Sequence, residues 1–201
     1  MLFSFESLPA LFIHIPKTGG NAIQQAIFKK GLSLDRMTIT GHQDGVHRFG
    51  VTGKYTISKH MTIRQYYIHQ QLHNLKIVTC IRRPLHRLIS LYFSPHRLFT
   101  MKSNILDFDI DAFRHLVDST KSCVQYLSIS STESLLLPPE LITLRTEFLS
   151  FDSKEKLGLE IQDDINHSKN KDLQNSLLFD DRLAQIIKNS HHHLDDIFFF
   201  E

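Results

Sequence analysis

Tryptophan is absent from this 201-residue sequence, cysteine occurs only twice, and neither sign of charge dominates, with 23 basic against 21 acidic residues. The balanced charge argues against a general binder of nucleic acid or membrane surfaces, so an anion site would have to be built locally. No stretch approaches the roughly 18 consecutive apolar residues of a membrane span, and the N-terminus lacks the pattern of a signal peptide. We therefore expect a soluble, cytoplasmic protein with no nucleic-acid or membrane partner.

The two cysteines, Cys80 and Cys123, bear on the redox compartment. Cys80 lies within an apolar run, which favours two reduced thiols over a disulfide. A hydrophobic content of 41% over this length is enough for one well-packed domain and is short for two. We expect a single domain over residues 1–201 in a reducing compartment.

Strand and helix patterns alternate along the chain. Apolar or β-branched runs predict buried strands at 11–15, 76–81 and 141–149. Apolar residues at helical spacing predict helices at 22–30, 62–72, 85–92, 110–127 and 183–197. The glycine-punctuated segment 31–57 predicts irregular structure. Alternation of this kind is typical of an α/β fold with a central parallel sheet and helices on both faces.

The stretch "HIPKTGGNA" stands between the first predicted strand and the first predicted helix. At the carboxyl end of a strand, a helix N-terminus offers free backbone N–H groups and the positive end of its dipole. Gly19 and Gly20 let the backbone approach an anion, and Lys17 adds positive charge. Thr18 and Asn21 can add side-chain hydrogen bonds. The stretch predicts a phosphate cradle, but not a nucleoside-triphosphate loop, because its lysine precedes the glycines.

Two motifs, in this order, resemble those of a known family. "HIPKTGGNA", residues 14–22, resembles the 5′-phosphosulfate loop of sulfotransferases that use 3′-phosphoadenosine 5′-phosphosulfate (PAPS). "IRRPLHRLISLY", residues 81–92, resembles their 3′-phosphate motif. The likeness is closest to the carbohydrate-type and bacterial branch, and it extends more weakly through "SKHMTIRQYY", "IDAFRHLVDSTKSCVQYL" and "LRTEFL". It implies a P-loop NTPase-like three-layer sandwich over residues 1–201.

The resemblance also implies a cofactor site. PAPS is the implied cofactor, with 3′-phosphoadenosine 5′-phosphate (PAP) as product and no metal. Lys17 would donate to the bridging oxygen, while Arg82 and Ser90 would bind the 3′-phosphate and Arg87 would assist or position Ser90. Arg83 stands where the family usually has Asp, which makes the site more positive. The implied cofactor-binding residues are Pro16, Lys17, Thr18, Gly19, Gly20, Asn21, Ala22, Arg82, Arg87 and Ser90.

A transferase of this kind needs a base for the acceptor proton, and histidine suits that role near neutral pH. The resemblance implies a base some twenty residues before the 3′-phosphate motif, which favours His60; His42, in a Gly-His pair, is the second choice. His14 is expected to point into the fold. The three histidines at 191–193 are not expected to bind a metal, because successive helix positions diverge by about 100°.

The implied function is transfer of a sulfuryl group to a hydroxyl, or less favourably an amine, of a saccharide or small metabolite. Two alternatives stay open: a P-loop nucleotide kinase, which lacks its Gly-Lys-Ser/Thr triplet here, and a non-catalytic PAP-binding module. Segments 31–60 and 93–109 are expected to line the acceptor site, and their basic residues suit either an anionic sugar or a solvated rim. Those basic residues are Arg36, Arg48, Lys54, Lys59, Arg97 and Lys102.

Overall fold

The computed structural model describes residues 1–34, 60–70, 75–94, 108–130, 135–161 and 171–201. The chain forms two compact units, each assembled from two separate segments. Unit 1 consists of residues 1–81 and 124–163, and unit 2 of residues 82–123 and 164–201. The expectation of one domain over the whole chain stays a prediction.

Unit 1 contains a four-stranded mixed sheet with the strand order β1-β2-β3-β4. The strands are β1 Leu2–Phe5, β2 Leu8–Ile13, β3 Lys76–Ile81 and β4 Leu141–Arg145. β2, β3 and β4 are parallel, whereas β1 pairs antiparallel with β2. The tight turn at Glu6 and Ser7, both at positive φ, folds β1 back onto β2. The α/β class is therefore confirmed, and the sheet is mixed where a wholly parallel one was expected.

Nine helices occur in the described residues. They are α1 Gly20–Lys29, α2 Ile63–Gln70, α3 Pro84–Tyr92, α4 Ile110–Ser119, α5 Cys123–Leu127, α6 Leu149–Leu157, α7 Lys171–Leu177, α8 Asp181–Lys188 and α9 His193–Phe199. A 3₁₀ turn, Thr146–Phe148, joins β4 to α6. Within the described ranges, no helix combines the length and apolar character needed to cross a bilayer.

Each unit has its own apolar core. In unit 1, side chains of β1 and β2, among them Phe3 and Phe12, pack with Ile23 and Ile27 of α1 and with Val78 of β3. In unit 2, α3 packs with α4 and α8 through a second cluster whose members include Leu88, Tyr92, Phe113, Val117 and Leu183. Burying a side chain of this size contributes about 1.5–3 kcal/mol, so these clusters hold β2, β3 and α3 in place. Cys80 and Cys123 are both buried free thiols, as predicted.

The helix predicted over 110–127 is wrong in its continuity. α4 ends at Ser119, Thr120 is extended, and α5 begins at Cys123. The buried carboxylate of Asp195 accepts a 2.8 Å hydrogen bond from the Cys123 N–H. This bond satisfies an N–H at the start of α5, so a new helix begins there instead of continuing from α4.

Two other predicted elements are shorter than expected. The strand predicted over 141–149 ends at Arg145, because both the N–H and the guanidinium of Arg145 bind the Asp152 carboxylate and the chain turns back. The helix predicted over 183–197 is broken between α8 and α9. β1, α6 and α7 were not predicted. The prediction for 76–81 is confirmed by β3, and the strand expected at 11–15 lies at Leu8–Ile13.

Candidate functional site

The glycine loop, residues 14–22, connects β2 to α1 as predicted. Gly19 is the N-cap of α1 with φ of 84°, and Lys17, two residues earlier, is also left-handed with φ of 67°. Left-handed residues in a turn can direct successive backbone N–H groups to one side, which is the geometry of an anion-binding nest. The first N–H groups of a helix are not used by its regular i→i−4 hydrogen bonds. The left-handed residues Lys17 and Gly19 agree with such a nest, and the phosphate cradle itself stays a prediction.

Both glycines of the loop are required by close neighbours. A Cβ on Gly19 would lie 2.7 Å from Cδ2 of Leu149, and the positive φ adds strain for any other residue. A Cβ on Gly20 would lie 2.5 Å from Cδ2 of the His14 ring. The glycine pair thus serves close packing within unit 1.

Thr18 is held inside the loop on two sides. Its side chain is fully buried, and its hydroxyl donates to the Ile15 carbonyl at 2.9 Å. Its own carbonyl oxygen lies 2.7 Å from Oγ1 of Thr146. The Thr18 hydroxyl thus closes the loop, and its predicted hydrogen bond to a ligand stays a prediction.

The other predicted loop residues differ in their exposure to solvent. Pro16, Lys17 and Asn21 are partly exposed at the start of α1. The N–H of Ala22 donates to the Gly19 carbonyl at 3.0 Å, so it closes the first turn of the helix. Among these residues, Lys17 and Asn21 are thus better placed than Ala22 to meet a ligand from solvent.

His14 points into unit 1, as expected. Its ring is 5% exposed, and Nδ1 lies 2.9 Å from Oε1 of the buried Gln24 in α1. An amide oxygen accepts, so Nδ1 carries the proton in this hydrogen bond. The ring fills the space that a larger residue at position 20 would need, and it thereby fixes the start of α1 against β2.

His60 lies beside this loop. Its ring stands edge-on to the His14 ring with centroids 4.8 Å apart, and its Nδ1 is 3.0 Å from the His14 carbonyl oxygen. The carbonyl can only accept, so Nδ1 donates and the neutral ring presents Nε2 as its basic nitrogen. The structure thus brings the predicted base His60 to the predicted loop. His42 lies outside the described residues, as do the six basic residues expected near the acceptor.

The second motif lies at the start of α3 in unit 2. Arg83 is the N-cap and Pro84 the first helical residue. Arg82 and Ser90 are partly exposed, but Arg87 is fully buried and its Nη2 donates to the Lys121 carbonyl at 2.9 Å. Arg87 therefore links α3 to the break between α4 and α5. These contacts favour the positioning role over direct assistance to a ligand.

Arg83, the departure from the family pattern, contacts the C-terminal segment of unit 2. Its guanidinium carbon lies 5.1 Å from the centre of the Phe200 ring, a cation–π arrangement. Burial raises the pKa of Asp196 above its ordinary value, and the positive charge of Arg83 partly offsets this effect. An Asp at position 83 would lack the ring contact and would repel Asp196.

The three consecutive histidines bind backbone groups of unit 2. Nε2 of His192 lies 3.1 Å from the Val117 carbonyl, and Nε2 of His191 lies 2.9 Å from that of Thr120. Burial, with the nearby Arg87 charge, lowers the pKa of His192 to about 3, so its ring is neutral near pH 7. In the described part of the chain, no group of three or more His, Cys, Asp or Glu residues is placed to hold a metal.

Sequence reasoning missed Thr146 and Gln24, which hold the loop. Thr146 is 128 residues from Thr18 in the chain, so no local pattern could pair them. Gln24 lies on the apolar face of α1 beside Ile23 and Ile27, and a polar residue in an apolar stripe is the sequence signal that could have drawn attention to it.

Comparisons with protein-family models, with curated proteins and with solved structures gave no match to this chain. A function for the chain therefore rests on its two motifs and on the geometry around the glycine loop.

Proposed function

We propose that this protein is a PAPS-dependent sulfotransferase of the carbohydrate type. It transfers a sulfuryl group to a hydroxyl, or less favourably an amine, of a saccharide or small metabolite. One observation carries the proposal: His60, chosen by its distance from the second motif, lies against the loop chosen by the first. Two residue assignments made from separate parts of the sequence thus converge in unit 1.

The glycine loop would hold the 5′-phosphosulfate end of the cofactor. Backbone N–H groups of residues 18–21 would bind the phosphate, and Lys17 would donate to the oxygen that bridges phosphorus and sulfur. Support comes from the left-handed backbone at Lys17 and Gly19 and from the parallel pairing of β2 with β3. A P-loop-like three-layer sandwich is part of the same proposal.

The transfer step would be a single in-line displacement. The acceptor oxygen forms a bond to sulfur as the bond from sulfur to the bridging oxygen breaks, and PAP leaves with the electron pair of that bond. The acceptor proton passes to Nε2 of His60, while Lys17 stabilises the negative charge on the departing oxygen. A positioned base of this kind typically contributes about 10²–10⁴-fold to the rate. No metal is required for these steps.

The 3′-phosphate, which distinguishes PAP from ADP, is assigned to Arg82 and Ser90 of the second motif. Both are partly exposed, which suits a ligand contact. Arg87 would act by holding α3 through its bond to Lys121. The proposal also includes a single domain located in the cytoplasm. The two buried free thiols agree with such a reducing compartment.

Isothermal titration calorimetry with PAP and with ADP tests this function. A hydrogen bond to a charged group is worth about 1.5–3 kcal/mol, so Arg82→Ala should weaken PAP binding about 10- to 150-fold. Arg114→Ala is the matched control, because Arg114 is an exposed arginine of unit 2 that pairs with Asp111. Binding of ADP as tight as that of PAP would reject the sulfotransferase and favour a nucleotide kinase. Tight PAP binding without transfer across an acceptor panel would favour a non-catalytic module.

A further inference from the structure

The segment that follows β4 packs against the glycine loop. Oγ1 of Thr146 lies 2.7 Å from the Thr18 carbonyl oxygen and 2.8 Å from that of Ile81, the last residue of β3. Leu149 lies against Gly19 from the same side. One side chain therefore joins the end of β3 to the turn that follows β2.

The contact between Thr146 and the Thr18 carbonyl determines the direction of the neighbouring Gly19 N–H group. In a trans peptide the C=O and the following N–H point in opposite directions, so the Gly19 N–H points away from Thr146 when the Thr18 carbonyl points toward it. A threonine hydroxyl carries one proton, which the Thr18 and Ile81 carbonyl oxygens share as acceptors. Thr146 thus holds one face of the Thr18–Gly19 peptide and leaves the N–H on the other face.

Because residue 19 is a glycine, the Thr18–Gly19 peptide needs such a restraint to keep its orientation. Rotation of the Thr18–Gly19 peptide plane changes the φ of the following residue, and glycine tolerates both signs of φ at little cost. Gly19, which permits the cradle conformation, would therefore also permit the peptide to rotate out of that conformation. A reversed peptide would present a carbonyl oxygen, instead of an N–H, to an approaching phosphate.

We propose that Thr146 is a positioning residue that fixes the Thr18–Gly19 peptide so that the Gly19 N–H faces the 5′-phosphate of the cofactor. The inference rests on the proposed function for the identity of the ligand. The orientation of the peptide is a property of the ligand-free protein and is measurable separately.

The test compares Thr146→Val, which keeps the branched shape and loses the hydroxyl, with Thr146→Ser, which keeps the hydroxyl. Thr143→Val is the control, since Thr143 is a half-buried threonine of β4, the strand that ends just before Thr146. PAP binding is measured by calorimetry, and the Gly19 amide is followed by ¹⁵N NMR shift and hydrogen exchange without ligand. We expect Thr146→Val to weaken PAP binding at least about fivefold and to shift the Gly19 amide. Thr146→Ser should restore both values, and Thr143→Val should change neither.

Native PAP affinity and an unchanged Gly19 amide in folded Thr146→Val would overturn the inference. Should that variant not fold, Thr146→Ala replaces it, and loss of the fold in both would assign Thr146 to stability alone and reject the positioning role. If the native protein fails to bind PAP, the proposed function fails, while the Gly19 amide still decides whether Thr146 orients the peptide.

Discussion

The two motifs of this chain are placed differently within their own units. In unit 1, the glycine loop keeps Lys17 and Asn21 partly exposed, and its own buried members, His14 and Thr18, support it. In unit 2, one fully buried member of the motif is itself an arginine, Arg87, which binds the backbone. We propose that the exposed loop residues meet the ligand, whereas the buried Arg87 binds the backbone and supports the fold.

Among variants that test this difference between the two motifs, we expect Gly20→Ala to lower the free energy of unfolding most. The added Cβ would overlap the buried His14 ring, which cannot move without losing its contacts with Gln24 and His60. We expect a loss of about 3 kcal/mol in the free energy of unfolding, measured by urea denaturation. Gly158→Ala is the control, because Gly158 has positive φ but open space around it, and should cost about 1 kcal/mol. Equal losses in the two variants would contradict the packing described for His14.

Arg87→Met tests the assignment of Arg87 to the fold. The variant keeps most of the buried volume but removes the bond to the Lys121 carbonyl, so we expect a loss of about 2 kcal/mol in unfolding free energy. Arg83→Met should cost under about 1 kcal/mol, because Arg83 is exposed and its cation–π contact with Phe200 lies at the surface. A loss for Arg83→Met as large as that for Arg87→Met would remove the distinction between the two arginines.

Asp152 should give unit 1 a specific sensitivity to acid. Its hydrogen bonds from Arg145 lower its pKa from 3.8 to about 2, so the carboxylate stabilises the fold above pH 3.8 and this contribution disappears as the pH falls through about 2. We discount the contribution to about 1–2 kcal/mol because Arg145 is 40% exposed. Urea denaturation of native protein and Asp152→Asn should differ by this amount near pH 6 and converge toward pH 2. A pH-independent difference would contradict the assignment.

The sequence is a good guide where the determining contacts are local. β3 is a β-branched run ending before Arg82 and Pro84, and the glycine loop follows β2 directly, so both could be placed from neighbouring residues. The errors occur where a side chain far away in the sequence determines the local structure. Asp195 starts α5 from 72 residues away, and Thr146 reaches the loop across 128 residues.

His60 shows how far the candidate site could be predicted. Spacing from the second motif selected His60. The hydrogen bond from its Nδ1 to the His14 carbonyl, which leaves Nε2 as the basic nitrogen, joins two segments 46 residues apart and could not be predicted from local sequence. Arg87 shows the opposite case, because the motif gives its position but not its burial.

The most direct test of the central claim is a titration of the ¹⁵N-labelled protein with PAP, followed at the Gly19 and Gly20 amides and at the His60 ring nitrogens. We expect saturable shifts of both amides and of His60 over one range of PAP concentration, with much smaller shifts from ADP. Shifts of the amides without any change at His60, or equal responses to ADP and PAP, would contradict a transfer site built from the glycine loop and His60.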